Sequence, residues 1–478
     1  MPADVPRSWP RGRRATSEAE EILATAEAWW DVDRSGFRDG DRFLRNIGTA
    51  GSALDLRLGS SGVANSNDPK WLGPEGLGYV YLPGSGGNNL GTTDNRAGTA
   101  TTWQVSALLD TTAVALPVIY SRSSSAAALM EIYFRYSGAN IRSVVFFVDG
   151  GGTQRQTTAS SASGFPVGKY WYRWTVDASA ANTVVTMEYA DDAVAEPSTW
   201  TTFYTQTFTG VTGLTVPSVN ARIGDIAYTT GGSAFQGRVF RLIERINGST
   251  TLDVDCDAIT SGAATSFTAT TSQTVTINRS TSGRKSVAMP SKTKGGRPCM
   301  LLGTDDYLEC QDAAQHGLLN FGQGDSFTAL AVARRWATQV SAARIIVKLD
   351  ASLTAPNGWS VANFSTGQFN NVVLSDGPNI INTGTTTAAW IAGTLTTNGM
   401  IVDRVARTLR PIINATIHTS TSTAAVGSAA NTQTVRIGRS SGVGTSYADM
   451  EFTAAAVFRR ALTAREITVI ANAAPWGV

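Results

Sequence analysis

Hydrophobic positions along this chain follow two periods. Near the start, Ser17 and Glu20 have capping-box spacing. Ile22, Leu23, Ala26, Trp29 and Trp30 then fall on one face at helical spacing, which predicts a short helix over about residues 18–30 docked on something larger. Beyond it the period becomes two. Residues 129–136, 144–148, 170–176 and 184–189 are short β-branched or aromatic runs separated by Gly, Ser, Asn and Asp. Residues 330–332, 345–349 and 407–416 repeat the style. Many short strands with turn signals predict an all-β sandwich or jelly roll.

The pattern also repeats over a long interval. Tyr81-Leu82 returns as Tyr307-Leu308, and strands begin near Trp103 and near Phe327. Arg222-Ile223-Gly224 returns as Arg436-Ile437-Gly438, and Val239-Phe240-Arg241 as Val457-Phe458-Arg459. Four landmarks in the same order point to two copies of one β domain. The expected division is an N-terminal arm and helix over 1–50, a first sandwich over 51–255, a connector over 256–296 and a second sandwich over 297–478. The connector is rich in Ser and Thr, and the alternation Thr274-Val275-Thr276-Ile277 predicts an ordered strand there.

Composition narrows the class. The 478 residues are 42% hydrophobic and 16% charged, with 47 Gly, which excludes a coiled coil and global disorder. The net charge of +2 and the lack of a basic stripe argue against a nucleic-acid partner. The cluster Arg7, Arg11, Arg13 and Arg14 reads as a solvated arm. No apolar run is long enough to span a membrane, and no basic amphipathic helix suits a membrane surface. The polar start shows no signal peptide. Cys256, Cys299 and Cys310 are odd in number and widely spaced, which fits thiols in a reducing compartment. A Cys299–Cys310 bridge is the alternative reading.

Particular segments resemble known proteins. Ser326-Phe327-Thr328-Ala329, residues 404–414, and Phe458-Arg459-Arg460-Ala461-Leu462-Thr463 with Glu466-Ile467 resemble concanavalin A-like, laminin-G-type jelly rolls. Ala415 stands where that family carries Gly after Asn414. Trp29-Trp30-Asp31, residues 46–51 and 54–60, Asn67-Asp68-Pro69, residues 79–84 and 235–239 resemble minor tail proteins of phages that infect actinobacteria. The resemblance implies two concanavalin A-like jelly-roll sandwiches in tandem behind a short N-terminal helix. It also implies a structural part of a virion, folded in the host cytoplasm and assembled with other phage tail proteins. Its modules are expected to bind host cell-wall glycan, and a homo-oligomer is expected.

Candidate chemistry is sparse. Asp31, Asp33, Ser35, Gly36 and Asp39 match most of a calcium loop, but Arg42 occupies the position of the bidentate carboxylate, so an Asp/Gly turn is the stronger reading. Calcium is thus the only ion with a partial signal, and no other cofactor is implied. The alternation Asp253-Val254-Asp255-Cys256-Asp257 reads as a strand with an acidic face. A jelly-roll glucanase would carry a Glu-x-Asp-x-x-Glu strand, and none occurs; Glu188, Asp191, Asp192 and Glu196 read as a turn. His316 and His418 have no nucleophile elbow to serve. Sugars stack on exposed aromatic rings, which makes Trp390, Trp359 and Trp171 the candidates for carbohydrate binding; alternation puts Trp171 opposite Tyr170, Tyr172 and Trp174. The expected function is non-enzymatic glycan adhesion on a phage tail. The alternatives are a glycan hydrolase acting on the host envelope and a free carbohydrate-binding protein.

Overall fold

A computed structural model describes residues 17–38, 40–59, 68–111, 117–125, 128–137, 140–158, 165–226, 234–280, 284–303, 306–310, 317–335, 343–350, 356–363, 370–383, 393–439 and 447–473. The fold is all-β, with a short helix at Glu18–Leu23 and a second at Ala464–Asn472. No described helix is long and apolar enough to cross a membrane. The chain forms two compact units: residues 71–304, and residues 1–70 together with 305–478.

The unit 71–304 is a sandwich of two antiparallel sheets. Its back sheet runs Thr201–Thr209, Asn182–Asp191, Lys169–Asp177, Thr102–Thr111, Gln236–Ile246, Tyr79–Pro83 and Val287–Met289, with Ser249–Asp255 also paired to Gln236–Ile246. Its front sheet runs Gln154–Gln156, Asn140–Val148, Ala128–Ser137, Val118–Ser125, Arg222–Ile223, Asn89–Thr92, Thr274–Asn278 and Ser266–Thr268. Alternation sends Tyr172, Trp174 and Val176 of the back sheet, and Met130, Ile132 and Phe134 of the front sheet, into one core. Phe134 packs edge-on to Tyr172 with centroids 5.1 Å apart. The Ser/Thr-rich segment expected to connect two domains instead completes this front sheet: Ile277 pairs with Leu90, and Val275 and Ile277 enter the core. The hairpin Ile246–Ser249 turns on Asn247 and Gly248, both at positive φ (51° and 77°).

The other unit repeats this plan. One sheet contains Thr408–Ile413, Leu395–Asp403, Phe327–Arg335, Met450–Phe458 and Ala28–Asp31. The other runs Phe43–Leu44, Leu56–Leu58, Leu308–Cys310, Arg436–Ile437, Ala343–Leu349, Asn357–Asn363, Asn370–Asp376 and Ile380–Thr383. Two of the expected landmarks are equivalent. Trp103 and Phe327 open matching strands. Gly224 and Gly438 both sit at φ 89°, with their N–H groups bonded at 3.1 Å to the carbonyls of Ile119 and Ile345. A β-bulge falls at the same place in both units, opposite Leu108/Leu109 and Val332/Ala333. That register places Val239-Phe240-Arg241 and Val457-Phe458-Arg459 on equivalent strands but out of step. Tyr81-Leu82 and Tyr307-Leu308 lie in non-equivalent sheets.

The expected domain limits differ from these units because the order of strands differs between them. In 71–304, the strands Ser249–Asp255, Ser266–Thr268 and Thr274–Asn278 follow Gln236–Ile246 in sequence. Their equivalents in the other unit, Ala28–Asp31, Phe43–Leu44 and Leu56–Leu58, come from the start of the chain. The helix predicted to reach Trp30 therefore stops at Leu23. Ser17 caps it as expected, its hydroxyl accepting from the Glu20 N–H at 3.2 Å. Trp29 and Trp30 instead pair as a strand with Ala456 and Ala455. Six residues of helix are marginal, and a strand partner along Met450–Phe458 outweighs them. In the hairpin Ile413–Thr416, Asn414 adopts φ 54°, so the turn forms without the family's Gly.

The second helix closes its unit with a capping box between Thr463 and Glu466. Hydrogen bonds from Arg460, then from Thr463, hold the Glu466 carboxyl down at about 2. Its stabilising effect is therefore complete above the ordinary carboxylate range and disappears as pH falls through about 2. Glu466→Ala should cost about 1 kcal/mol near neutrality. Urea unfolding of the two proteins should show that difference shrinking toward pH 2.

Candidate functional site on the front sheet

The front sheet of 71–304 is locked to the back sheet by a buried charge network. Arg122, on the strand Val118–Ser125, is fully buried, as is Glu244 of Gln236–Ile246. Arg122 Nη2 donates to Glu244 Oε2 at 2.9 Å and to Asp94, and Nη1 donates to the Asp94 and Val219 carbonyls at 3.1 and 2.9 Å. Tyr120 Oη, Trp103 Nε1 and Thr251 Oγ1 complete the shell of Glu244 at 2.6, 3.1 and 3.0 Å. Burial alone would lower the Arg122 pKa, but the Glu244 and Asp94 carboxylates beside it outweigh that and hold it raised. Burial pushes the Tyr120 phenol well up, so Tyr120 stays a donor.

With Tyr120 and Arg122 turned inward, Ser121 faces the other side of the front sheet. Strand register extends this outward position into one row across eight strands: Gln156, Phe146, Glu131, Ser121, Arg222, Gly91, Thr276 and Ser266. This row is polar with an aromatic flank, and Ser121 at its centre is fully buried. Glu131 is fully buried and accepts from Ser121 Oγ at 2.8 Å and from Tyr133 Oη. It thereby fixes Tyr133, whose half-buried ring meets that of Phe146 edge-on with centroids 5.4 Å apart. Arg222 and Gly91 are half-buried, and Thr276 is exposed.

The equivalent row of the other unit reads Phe43, Arg57, Glu309, Arg436, Val347, Ser360, Val373 and Asn382. Here Val347 and Val373 join Leu349 in an apolar cluster, and Arg436 is paired with Glu309 at 2.6 Å. The copies share a frame and differ on this face.

The residues singled out from sequence lie elsewhere. Trp171 and Trp359 are fully buried, with Nε1 donating to the Ala193 carbonyl at 2.8 Å and the Leu319 carbonyl at 3.3 Å. Neither presents a ring face to a sugar, because aromatic bulk in a strand is drawn into packing. Trp171 does lie opposite Tyr172 and Trp174, as alternation predicts, but is covered all the same. Trp390, His316 and Asp39 lie outside the described residues. Asp31 is buried, and its Oδ1 accepts the N–H groups of Asp33 and Arg34 at 2.9 and 3.0 Å. At the equivalent register, Asp255 Oδ1 accepts from the Asp257 N–H at 2.9 Å. Both carboxylates therefore cap a turn that ends the same strand, which accounts for the Asp alternation. Asp33 is exposed, and the buried Ser35 hydroxyl has no hydrogen-bond partner. Among the described residues no group of three His, Cys, Asp or Glu is placed to hold a metal.

Glu188, expected in a turn, lies on the strand Asn182–Asp191 and pairs with Arg173 at 2.6 Å. Asp192 pairs with Lys169 at 3.0 Å. The three cysteines are buried thiols, and no disulfide joins Cys299 to Cys310. His418 titrates lower than usual because it is partly desolvated.

No family model matches the chain, and no curated protein does. Solved structures are similar to parts of it, three of them as follows. The binding domain of Paraclostridial Mosquitocidal Protein 1 is 14% identical at a TM-score of 0.30, covering 37% of this chain and 44% of that one. A Ruminococcus gnavus IT-sialidase CBM40 bound to α2,3 sialyllactose is 10% identical at 0.28, covering 32% and 92%. The Botulinum Neurotoxin serotype G binding domain is 12% identical at 0.28, covering 35% and 39%. The chain thus spans under half the length of the first and third.

Proposed function

We propose that this chain is a non-enzymatic glycan-binding protein of a phage particle, a minor tail or fibre component that adheres to the host cell surface. The observation that carries the glycan reading is the outward face of the 71–304 front sheet. Around the buried Ser121–Glu131 pair it presents the Arg222 guanidinium, the Thr276 hydroxyl and the Gln156 amide, with the Tyr133–Phe146 ring pair alongside, and a sugar needs both an apolar face to stack on and polar groups to orient it. Glu131 is spent in holding Ser121 and Tyr133, which suits positioning rather than proton transfer. The virion setting rests on the segments that resemble actinobacteriophage minor tail proteins. The three buried thiols fit folding in a host cytoplasm. Display of many copies, in a homo-oligomer among other tail proteins, would turn weak contacts into firm attachment.

The test is a pull-down of the full chain with purified actinobacterial cell walls, with and without competing wall sugars. Phe146→Ala should weaken sugar-competed binding about tenfold, close to 1.4 kcal/mol, with Tyr133→Phe intermediate. Release of reducing ends from the walls would replace adhesion by hydrolysis, and binding indifferent to every sugar would remove the glycan.

A further inference from the structure

We infer that the 71–304 unit holds a site for a carboxylate-bearing sugar at Arg222; this deepens, and rests on, the glycan reading above. The internal repeat supplies the argument. Arg222 and Arg436 occupy the same register on equivalent strands, each followed by an Ile and a Gly at φ 89°. In the other unit the neighbouring strand places Glu309 directly beside Arg436. Arg436 Nε donates to Glu309 Oε1 at 2.7 Å and Nη2 lies 2.6 Å from the same oxygen. A carboxylate is thus what an arginine at this position binds when one is present. In 71–304 the residue at the Glu309 position is Gly91.

Arg222 Nη1 donates to the Ile226 carbonyl at 3.1 Å, and among the described residues no carboxylate lies within ion-pair distance of its guanidinium. Several of its five donors therefore remain for a ligand. Directly beside it, Gly91 brings no side chain over the sheet, and an added Cβ would meet only the Asn278 amide nitrogen at 2.9 Å. Ser121 flanks the arginine on its other neighbouring strand, and Thr276 lies exposed beyond Gly91. A planar carboxylate entering over Gly91 would take the place that the Glu309 side chain fills in the other unit, with the exposed Thr276 hydroxyl and the Asn278 amide beside it meeting the sugar, while Ser121 is buried and held by Glu131. The two copies share one arginine: one neutralises it from within, and the other leaves it for a ligand.

The experiment measures binding of the full chain to polygalacturonate, to the same polymer after carboxyl reduction, and to polyglutamate. The uronate polymer should bind at least tenfold more tightly than the other two. Arg222→Gln should bring it down to the level of the reduced polymer. So should Gly91→Glu, which recreates the internal pair and keeps the arginine, while Gly91→Ala should retain most of the preference. Unfolding midpoints would check that the variants are folded. Equal binding of the native and reduced polysaccharides would overturn this inference and leave the glycan reading standing. Polyglutamate binding as tightly as polygalacturonate would also overturn it, reducing the effect to charge attraction. Binding to neither polysaccharide nor to cell walls would overturn the glycan reading itself.

Discussion

Replacing Arg122 by Met is expected to destabilise the unit 71–304 by about 3–5 kcal/mol. The variant leaves Glu244 and Asp94, 0% and 4% exposed, without the cation that joins them. Methionine fills much of the volume, so the loss reports uncompensated charge rather than a cavity. Set against a typical domain stability of about 5–15 kcal/mol, that is a large share. Arg96 provides the contrast, because it pairs with the same Asp94 at 3.0 Å while its own side chain is 49% exposed. Arg96→Gln should cost less than about 1 kcal/mol. Urea unfolding of the three proteins decides the matter, and similar midpoints for all three would show that the buried network does not hold the sheets together.

The second large effect concerns which pieces of chain fold alone. Residues 71–304 contain every strand of their own sandwich and should give a cooperative unfolding transition as an isolated fragment. Residues 305–478 should not. Without the N-terminal segment, Met450–Phe458 loses its partner Ala28–Asp31, and Leu308–Cys310 loses Leu56–Leu58. The core also loses Leu23, Ala26 and Trp29, which pack with Leu330, Val332, Ala456 and Phe458. Exposed hydrophobic edges of this kind aggregate. Circular dichroism and size-exclusion chromatography of both fragments should show one folded monomer and one aggregate or unfolded chain. A stable, monomeric 305–478 would contradict the strand assignment.

Much of the fold was legible in the sequence because its information is periodic. The alternation through 170–176 marks a strand and sorts its faces, and Arg-Ile-Gly marks the repeat because both glycines need the same left-handed backbone. What escaped was non-local. Nothing in residues 18–30 announces that Trp29 and Trp30 will pair with Ala456 and Ala455, more than 400 positions away. Short repeats on equivalent strands also gave a false register, since only the bulge opposite Leu108/Leu109 and Val332/Ala333 sets it. The site was missed for a related reason. Large aromatics drew attention to Trp171 and Trp359, which the packing hides. The outward row is assembled from eight strands scattered between Gly91 and Thr276, each contributing one unremarkable residue. The one available clue was Arg222 itself, present in the repeated tripeptide but compared with Arg436 without its neighbours. Asp31 and Asp255 look like separate acidic motifs in sequence, and register shows them to be one turn cap used twice.

Glycan is expected on the outward face of the 71–304 front sheet. Hydrogen exchange of the full chain, with and without actinobacterial cell-wall polysaccharide, tests it most directly. Slowed exchange should be confined to the strands Val118–Ser125, Ala128–Ser137, Asn140–Val148 and Arg222–Ile223 and to the neighbouring Asn89–Thr92. Protection on the back sheet or in the unit formed by 1–70 and 305–478, with these strands unchanged, would contradict it.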